Sequence, residues 1–303
     1  MGTTPKLRTR RKNAVEPAEF IALLNVIALV TFMLAMGLEV KFAAVTGSVS
    51  PVHRVVMGLL ANYALVPVVT VALLYLFQAN PMVSAGFLIL AVCPGAPFGP
   101  KAASLAKGDT GWAIGMMVIL AGLSAILSPA LLGLLLAWVA PESELNIDYV
   151  AIVRTLLVTQ LLPLAAGLAI HHWLPKLTDK IVKPVSLTAN IMLLALVGII
   201  LAVQFETLAA IRLRGWTGMA LLFVASLAIG WVCGGTEGAI RRALAVTTSC
   251  RNAAVSLAIV TGTSHFAGTD AVTAVVAFAF VSIFATLACG ALLGKLTRER
   301  SDP

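Results

Sequence analysis

The feature that most limits this 303-residue chain is how little lies between its apolar runs. Nine stretches, each about 20 residues or more and so long enough to cross a ~30 Å hydrocarbon core, run at about 18–40, 54–78, 82–107, 110–139, 149–173, 184–205, 216–234, 237–262 and 269–294. The longest polar connections, 140–148 and 174–183, are only about ten residues each, too short for a soluble domain. A soluble fold of this length needs about a quarter of its residues charged to cover its surface. Here 11 % are charged and 60 % apolar. That excludes a cytosolic enzyme, a disordered tail and a secreted disulfide scaffold. The expectation is an all-α integral membrane protein of about nine transmembrane helices. A single membrane domain, 18–294, lies between a basic N-terminal tail, 1–17, and a short C-terminal tail, 295–303.

The net charge of +8 does not point to nucleic acid, because the basic residues cluster between apolar runs rather than along one soluble face. Lys6, Arg8, Arg10, Arg11 and Lys12 precede the first run as they would in a signal peptide. The run is too long and lacks a small-residue cleavage site, so it reads as the first span. Nine spans put the connections after spans 1, 3, 5 and 7 on the same side as the C-terminus. Lys41, Arg54, Lys107, Lys176, Lys180, Lys183, Arg241, Arg242, Lys295, Arg298 and Arg300 lie there. The opposite connections hold Arg212 and Arg214, with Arg154 just inside span 5. By the positive-inside rule the C-terminus is cytoplasmic and the N-terminus outside, in a cell (inner or plasma) membrane; the basic N-terminal tail argues the other way. Cys93, Cys233, Cys250 and Cys289 lack paired or metal-ligand spacing and read as small hydrophobes.

Two spans do not read as plain helices. Span 3 contains Cys93-Pro94-Gly95-Ala96-Pro97-Phe98-Gly99-Pro100-Lys101. Its prolines remove donors and restrict the residues before them, so the helix breaks there. Unpaired backbone at membrane depth is tolerated only where it is buried in protein or lines a wet cavity. Pro100 suits the first position of a second half-helix, whose positive dipole end then faces that cavity. Span 8 reads Thr247-Thr248-Ser249-Cys250-Arg251-Asn252 at its centre. Arg251 lies nine residues beyond Arg242, about 13 Å along a helix and close to mid-bilayer. Placing Arg there costs at least ~2.5 kcal/mol, so it should face a cavity, an anion or an acidic partner. A break in span 8 is less marked, because neither Gly nor Pro interrupts it. Spans 3 and 8 are five apart, and corresponding helices at an odd offset cross in opposite directions. Broken helices at matching positions of an inverted repeat are the recurring build of secondary transporters.

Cys93-Pro94-Gly95, followed by Leu105-Ala106-Lys107-Gly108-Asp109, resembles the first crossing motif of the bile acid:sodium symporter family. Met36-Gly37-Leu38, Pro67, Leu161-Leu162-Pro163 and Asn252 match it further. The resemblance covers essentially the whole chain. It implies a panel domain, a core domain and two discontinuous helices, about 82–107 and 237–262, crossing beside the ligand cavity. The first half is short of one helix, and similar nine-span members place the C-terminus in the cytoplasm. The resemblance also implies where sodium sits, and there this chain departs from the motif. The Ser-Asn positions hold Gly99 and Pro100, and the hydroxyl positions on the next helix fall near Ala113 and Met117. The Glu position holds Thr247, and the Gln position holds Arg251. Asn62, where the family often has Gln, is the one amide still in place. Sodium prefers several hard oxygens, ideally with a carboxylate among them.

Arg251 and Lys101 bring two cations to this region, while Lys101 is near enough to Lys107 to snorkel to the interface. A cavity facing them favours an anionic group. The expected substrate-binding residues are Pro94, Gly95, Gly99 and Lys101 of the first break, Thr247, Thr248, Ser249, Arg251 and Asn252 of the second, and Asn62. Phe98, Met116, Met117 and Met192 are candidate apolar walls. The expected function is secondary transport of organic anions, carboxylate- or sulfate-bearing, with no cofactor and with sodium displaced by Arg251. A conventional sodium symporter of the same family and a transporter-like sensor or channel remain as alternatives. An enzyme is disfavoured, since no paired mid-span carboxylates and no Ser/His pair are present.

Overall fold

The computed structural model describes residues 17–40, 51–139, 148–263, 265–266 and 268–299. The N-terminal basic cluster and the 140–147 connection lie outside the described residues. All regular elements among them are helical. The order is α1 (Pro17–Glu39), α2 (Val52–Leu76), α3 (Pro81–Val92), α4 (Gly99–Leu105), α5 (Thr110–Val139) and α6 (Tyr149–Trp173), then α7 (Pro175–Ala209), α8 (Leu213–Cys233), α9 (Gly238–Ser249), α10 (Ala253–Gly262) and α11 (Asp270–Glu299). Six segments of the described residues are long and apolar enough to cross a membrane. One of them, Gly238–Gly262, is interrupted helix, α9 and α10, and 89 % of its most apolar 18-residue stretch is buried, against 50 % or less for the corresponding stretches of the others. It runs through the middle of the bundle, where a polar stretch can be shielded from lipid.

Local chemistry sets the helix starts. Asn80 accepts the Val83 amide (2.8 Å) and is followed by Pro81, and Asp109 accepts the Trp112 amide (2.9 Å). Both are N-caps that satisfy an otherwise orphaned donor. In α2 and α6 a proline, Pro67 or Pro163, follows a five-residue π-helical turn, Ala61–Leu65 or Leu157–Leu161. Proline cannot donate to the carbonyl four residues back, and the wider turn accommodates the mismatch. Each such turn carries a buried amide side chain, Asn62 or Gln160.

The helices pack as two groups. α1 lies between α6 and α7, and the remaining helices form a larger body around α3, α5, α9 and α11. α1 and α6 approach at Gly37 and Gly167. A Cβ on Gly37 would fall 2.3 Å from the Leu164 carbonyl oxygen, and one on Gly167 would fall 2.5 Å from that of Leu34. Only glycine permits this contact, the small-residue packing that holds helices together where lipid removes the hydrophobic drive.

The 174–183 segment, expected as a polar connection, is instead the N-cap and about the first quarter of the 35-residue α7. Pro175 opens that helix, Lys and Leu sustain it, and it continues through Pro184 despite the lost backbone bond and the ring's crowding of the preceding turn. Polar contacts tie connections together at each end of the bundle. Arg54 pairs with Glu237, and Arg242 donates to the Lys107 carbonyl at 2.7 Å. At the other end Asn80 donates to Asp270 at 3.1 Å, and Arg214 to the Phe77 carbonyl.

Candidate functional site

Both interrupted helices break where they meet. α3 stops at Val92 and the chain runs without regular structure to Phe98 before α4 begins. α9 stops at Ser249, and Cys250, Arg251 and Asn252 separate it from α10. The Asn252 amide donates to the Cys93 carbonyl (2.9 Å), and its side-chain amide donates to the Gly95 carbonyl (3.4 Å). Its Oδ1 accepts the Val255 amide (3.3 Å), capping α10. One residue therefore terminates one broken helix and starts the other. Gly95 has φ +85°, and an added Cβ would fall 2.7 Å from the Ala121 amide nitrogen of α5. Gly99, not Pro100, holds the first position of α4.

Asn252→Ala removes the cap and leaves the Gly95 carbonyl without its side-chain donor at a fully buried site. The expected cost is about 2 kcal/mol, a fall in the Tm of detergent-purified protein of roughly 4–8 °C. Asn252→Asp, which keeps the acceptor and loses the donor, recovers part of that fall. A Tm unchanged in the alanine variant contradicts the bridging role.

Arg251 is 3 % exposed. Its guanidinium donates to the Thr248 carbonyl (2.9 Å), Asn62 Oδ1 (3.2 Å) and the Ala91 carbonyl (3.4 Å). Asn62 is oriented by its own donations to the Gly58 carbonyl (2.9 Å) and Thr248 Oγ1 (3.2 Å). The acceptors come from α2, α3 and α9, so one side chain ties three elements at mid-bundle. All are neutral oxygens. The two ion pairs among the described residues, Arg54–Glu237 and Lys295–Glu299, lie elsewhere. Hydrogen bonds to a charged group contribute about 1.5–3 kcal/mol each, enough to offset the insertion cost, but they leave the positive charge unneutralised.

The other hydroxyls are spent locally. Thr247 donates back to the Ala243 carbonyl (2.8 Å), and Ser249 donates to the Val246 carbonyl (3.0 Å) and meets Thr286 (3.1 Å). The Thr247 methyl abuts Gly99, whose added Cβ would lie 3.0 Å from it. Ala113 and Met117 are buried and apolar.

Beside the crossing lies a cavity of about 320 Å³. Arg251, Asn252, Pro97, Phe98 and the exposed Lys101 line it from the broken helices. Phe32 of α1, Leu194 of α7, and Phe280 and Phe284 of α11 close it with apolar surface. It therefore lies between the two helix groups. Of the sequence-predicted residues, Arg251, Asn252 and Lys101 meet there. Asn62, Pro94, Gly95, Gly99, Thr247, Thr248 and Ser249 stand behind as the crossing's framework. Among the expected walls only Phe98 lines the cavity; Met116 and Met117 are buried elsewhere in the core. Continuous apolar helices carry no facial pattern in a membrane, which is why the wall could not be read from composition. Gln160, outside the predicted set, donates to the Ala121 carbonyl and to Ser124 Oγ (2.7 Å), joining α6 to α5. Its signal, a lone amide in an apolar span just before a proline, was present.

Two broken helices bonded end to end inside an apolar bundle, with a cavity alongside, define a membrane transporter rather than an enzyme. The chain belongs to the sodium bile acid symporter family, whose model matches residues 26–211. It is similar to the Bacillus subtilis (strain 168) protein described as an uncharacterized sodium-dependent transporter, YocS: 24 % identity over 79 % of this chain and 74 % of that one. It is also 24 % identical to a probable sodium/metabolite cotransporter of rice, BASS2, chloroplastic, over 66 % of this chain and 46 % of that protein. A bovine sodium-dependent organic anion transporter matches at 24 % over 55 % of this chain and 44 % of its own length. The chain thus spans less than half of the plant and bovine relatives. α9, Arg251 and α10 lie beyond the residues that the family model matches.

Proposed function

We propose that this chain is a secondary transporter of organic anions that works without a coupling sodium ion, its place taken by the guanidinium of Arg251. A single domain, 18–294, crosses a cell membrane nine times as an inverted repeat, with the C-terminus in the cytoplasm. Alternating access operates where α3–α4 crosses α9–α10. The bovine relative's name supports the substrate class, and the cavity's make-up supports it independently. Lys101 and Arg251 supply positive charge, and four phenylalanines supply apolar wall. An amphipathic carboxylate or sulfate suits both. Asn252 and the Pro94-Gly95 and Gly99 backbone shape the site. Asn62, Thr247, Thr248 and Ser249 support it from behind. The half-helix ends add little charge of their own, since α4 has only seven residues and α10 is already capped by Asn252.

The observation that carries this reading is the pair of oxygens that Arg251 takes up, Asn62 Oδ1 and the Thr248 carbonyl. These are hard neutral oxygens of the kind a monovalent cation would coordinate. By the family resemblance, Arg251 itself stands at the Gln position of the sodium-binding set, with Asn62 the one amide still in place beside it. The decisive test is uptake of an organic anion such as taurocholate or a 2-keto acid by proteoliposomes, with sodium replaced by choline on both sides. The initial rate is expected to stay within about twofold, since an equilibrium with no sodium step has no sodium dependence. A strict sodium requirement, as the relatives' names suggest for those proteins, overturns the proposal and favours a conventional symporter.

A further inference from the structure

A second cavity, of about 510 Å³, shares no lining residue with the one beside the crossing. It lies at the end of the bundle where the α2–α3 connection, the α7–α8 connection and the start of α11 come together. Its floor is apolar, with Leu74, Phe87, Met219 and Leu222 among the residues forming it. Its rim carries Arg212 and Arg214. Arg214 is positioned, since its guanidinium donates to the Phe77 carbonyl and lies 6.0 Å from the centroid of the Phe77 ring. The Arg212 side chain has no hydrogen-bond or ion-pair partner among the described residues. Arg212 is also the N-cap of α8, without a side-chain cap bond and with no acidic residue in the first turn. The helix dipole therefore adds to the two guanidinium charges instead of being neutralised. One carboxylate, Asp270, lies across the cavity and accepts a bond from Asn80. The fixed charge at the rim remains positive.

What surrounds the rim identifies the occupant. Leu213, between the two arginines, is 82 % exposed, and Leu76 beside Phe77 is 70 % exposed. These large apolar side chains belong against lipid tails. Arg212 and Arg214 stand at the first turn of a membrane-crossing helix, the depth at which headgroups lie. A free inorganic anion would satisfy the guanidiniums and leave the apolar floor unused. A phospholipid uses both.

We propose that this cleft between α2, α3 and α8 is a binding site for an anionic phospholipid. Its phosphate is held by Arg212 and Arg214, and one acyl chain lies on the apolar floor. Nothing in this inference rests on the transport reading above. A sodium-dependent carrier would hold the lipid equally well.

The test is native mass spectrometry of the full chain in neutral detergent, titrated with phosphatidylglycerol or with phosphatidylcholine of the same acyl chains. Phosphatidylglycerol should be retained several-fold more strongly, because the choline of phosphatidylcholine brings a positive charge against the two arginines while phosphatidylglycerol keeps its net negative charge. The double variant Arg212→Gln/Arg214→Gln should remove most of that preference, while Lys295→Gln, at the other end of the bundle, leaves it unchanged. Gly218→Leu attacks the site from the apolar side and keeps both arginines. Gly218 lines the cavity, and an added Cβ there meets nothing closer than Phe77 at 3.8 Å, so a larger side chain starts without a backbone clash and takes up cavity volume. It should lower phosphatidylglycerol retention as well, and this decides the matter if the double variant does not purify. Equal retention of the two lipids, or a preference that survives both sets of substitutions, overturns the proposal. So does displacement of the bound lipid by inorganic phosphate alone, which would make the cleft a site for a free anion.

Discussion

Arg251→Gln combined with Thr247→Glu is expected to turn a sodium-indifferent protein into one that binds sodium. At an effective dielectric near 20, a guanidinium about 4 Å from a bound sodium ion repels it by roughly 4 kcal/mol, about three decades in affinity. Arg251→Gln removes that repulsion and places an amide oxygen next to Asn62 Oδ1 and the Thr248 carbonyl, the acceptors that the guanidinium uses now. Thr247→Glu adds the missing carboxylate. Thr247 abuts Gly99, so the new carboxylate arises beside the first crossing segment, where glycine leaves it room. The measurement is radiolabelled sodium binding to purified protein, with sodium-stimulated anion uptake as a second readout. The single variant Arg251→Gln should lose at least tenfold in anion uptake, because the cavity surrenders its buried cation. Arg251→Lys should retain more, since it keeps the charge and loses only the fork that reaches three acceptors. Sodium binding as strong in the unaltered protein as in the double variant would sink the account of Arg251.

The two breaks show how far residue chemistry alone can locate such a site. In the first, three prolines and two glycines between Pro94 and Pro100 leave the helix no way to continue, and the interruption is legible at once. In the second, Cys250-Arg251-Asn252 contains no breaker. It opens because Asn252 turns its backbone amide away from its own helix to the Cys93 carbonyl, a tertiary cause that no local pattern carries. Arg251 was visible as an expensive residue at mid-membrane. That three neutral oxygens from three helices accept it, with no acid among them, required coordinates. The cavity wall was least legible, because the helices are apolar all round and α1, α7 and α11 contribute from distant parts of the chain. The length of α7 is hidden for the opposite reason: charges mark the end of an apolar run without ending the helix.

Gly95→Ala is expected to be severely damaging, because a strained backbone angle and a backbone clash fall on one residue. Gly95 holds φ +85°, where an L side chain clashes with its own backbone, at a cost of roughly 1–2 kcal/mol. The new Cβ would also sit 2.7 Å from the Ala121 amide nitrogen and 3.0 Å from the Met117 carbonyl oxygen. Those atoms are helix backbone of α5 and cannot swing aside as a flexible side chain would. Relief requires moving the Cys93–Phe98 segment away from α5, which pulls the Gly95 carbonyl from Asn252 and strains the Cys93–Asn252 bond. Strain and the lost bonds together approach 4 kcal/mol, in the range that marks an exceptional substitution. The expected result is a large loss of monodisperse protein after solubilisation, and in what survives a Tm lowered by roughly 10 °C. Gly198→Ala is the control, because an added Cβ there meets nothing within 4 Å and alanine favours the helix. Its Tm should hold or rise slightly. If Gly95→Ala instead purifies and melts like the unaltered protein, the crossing is not the rigid junction from which Arg251 and Asn252 are presented to the cavity. The site would then have to be organised by α11 and the first helix group instead.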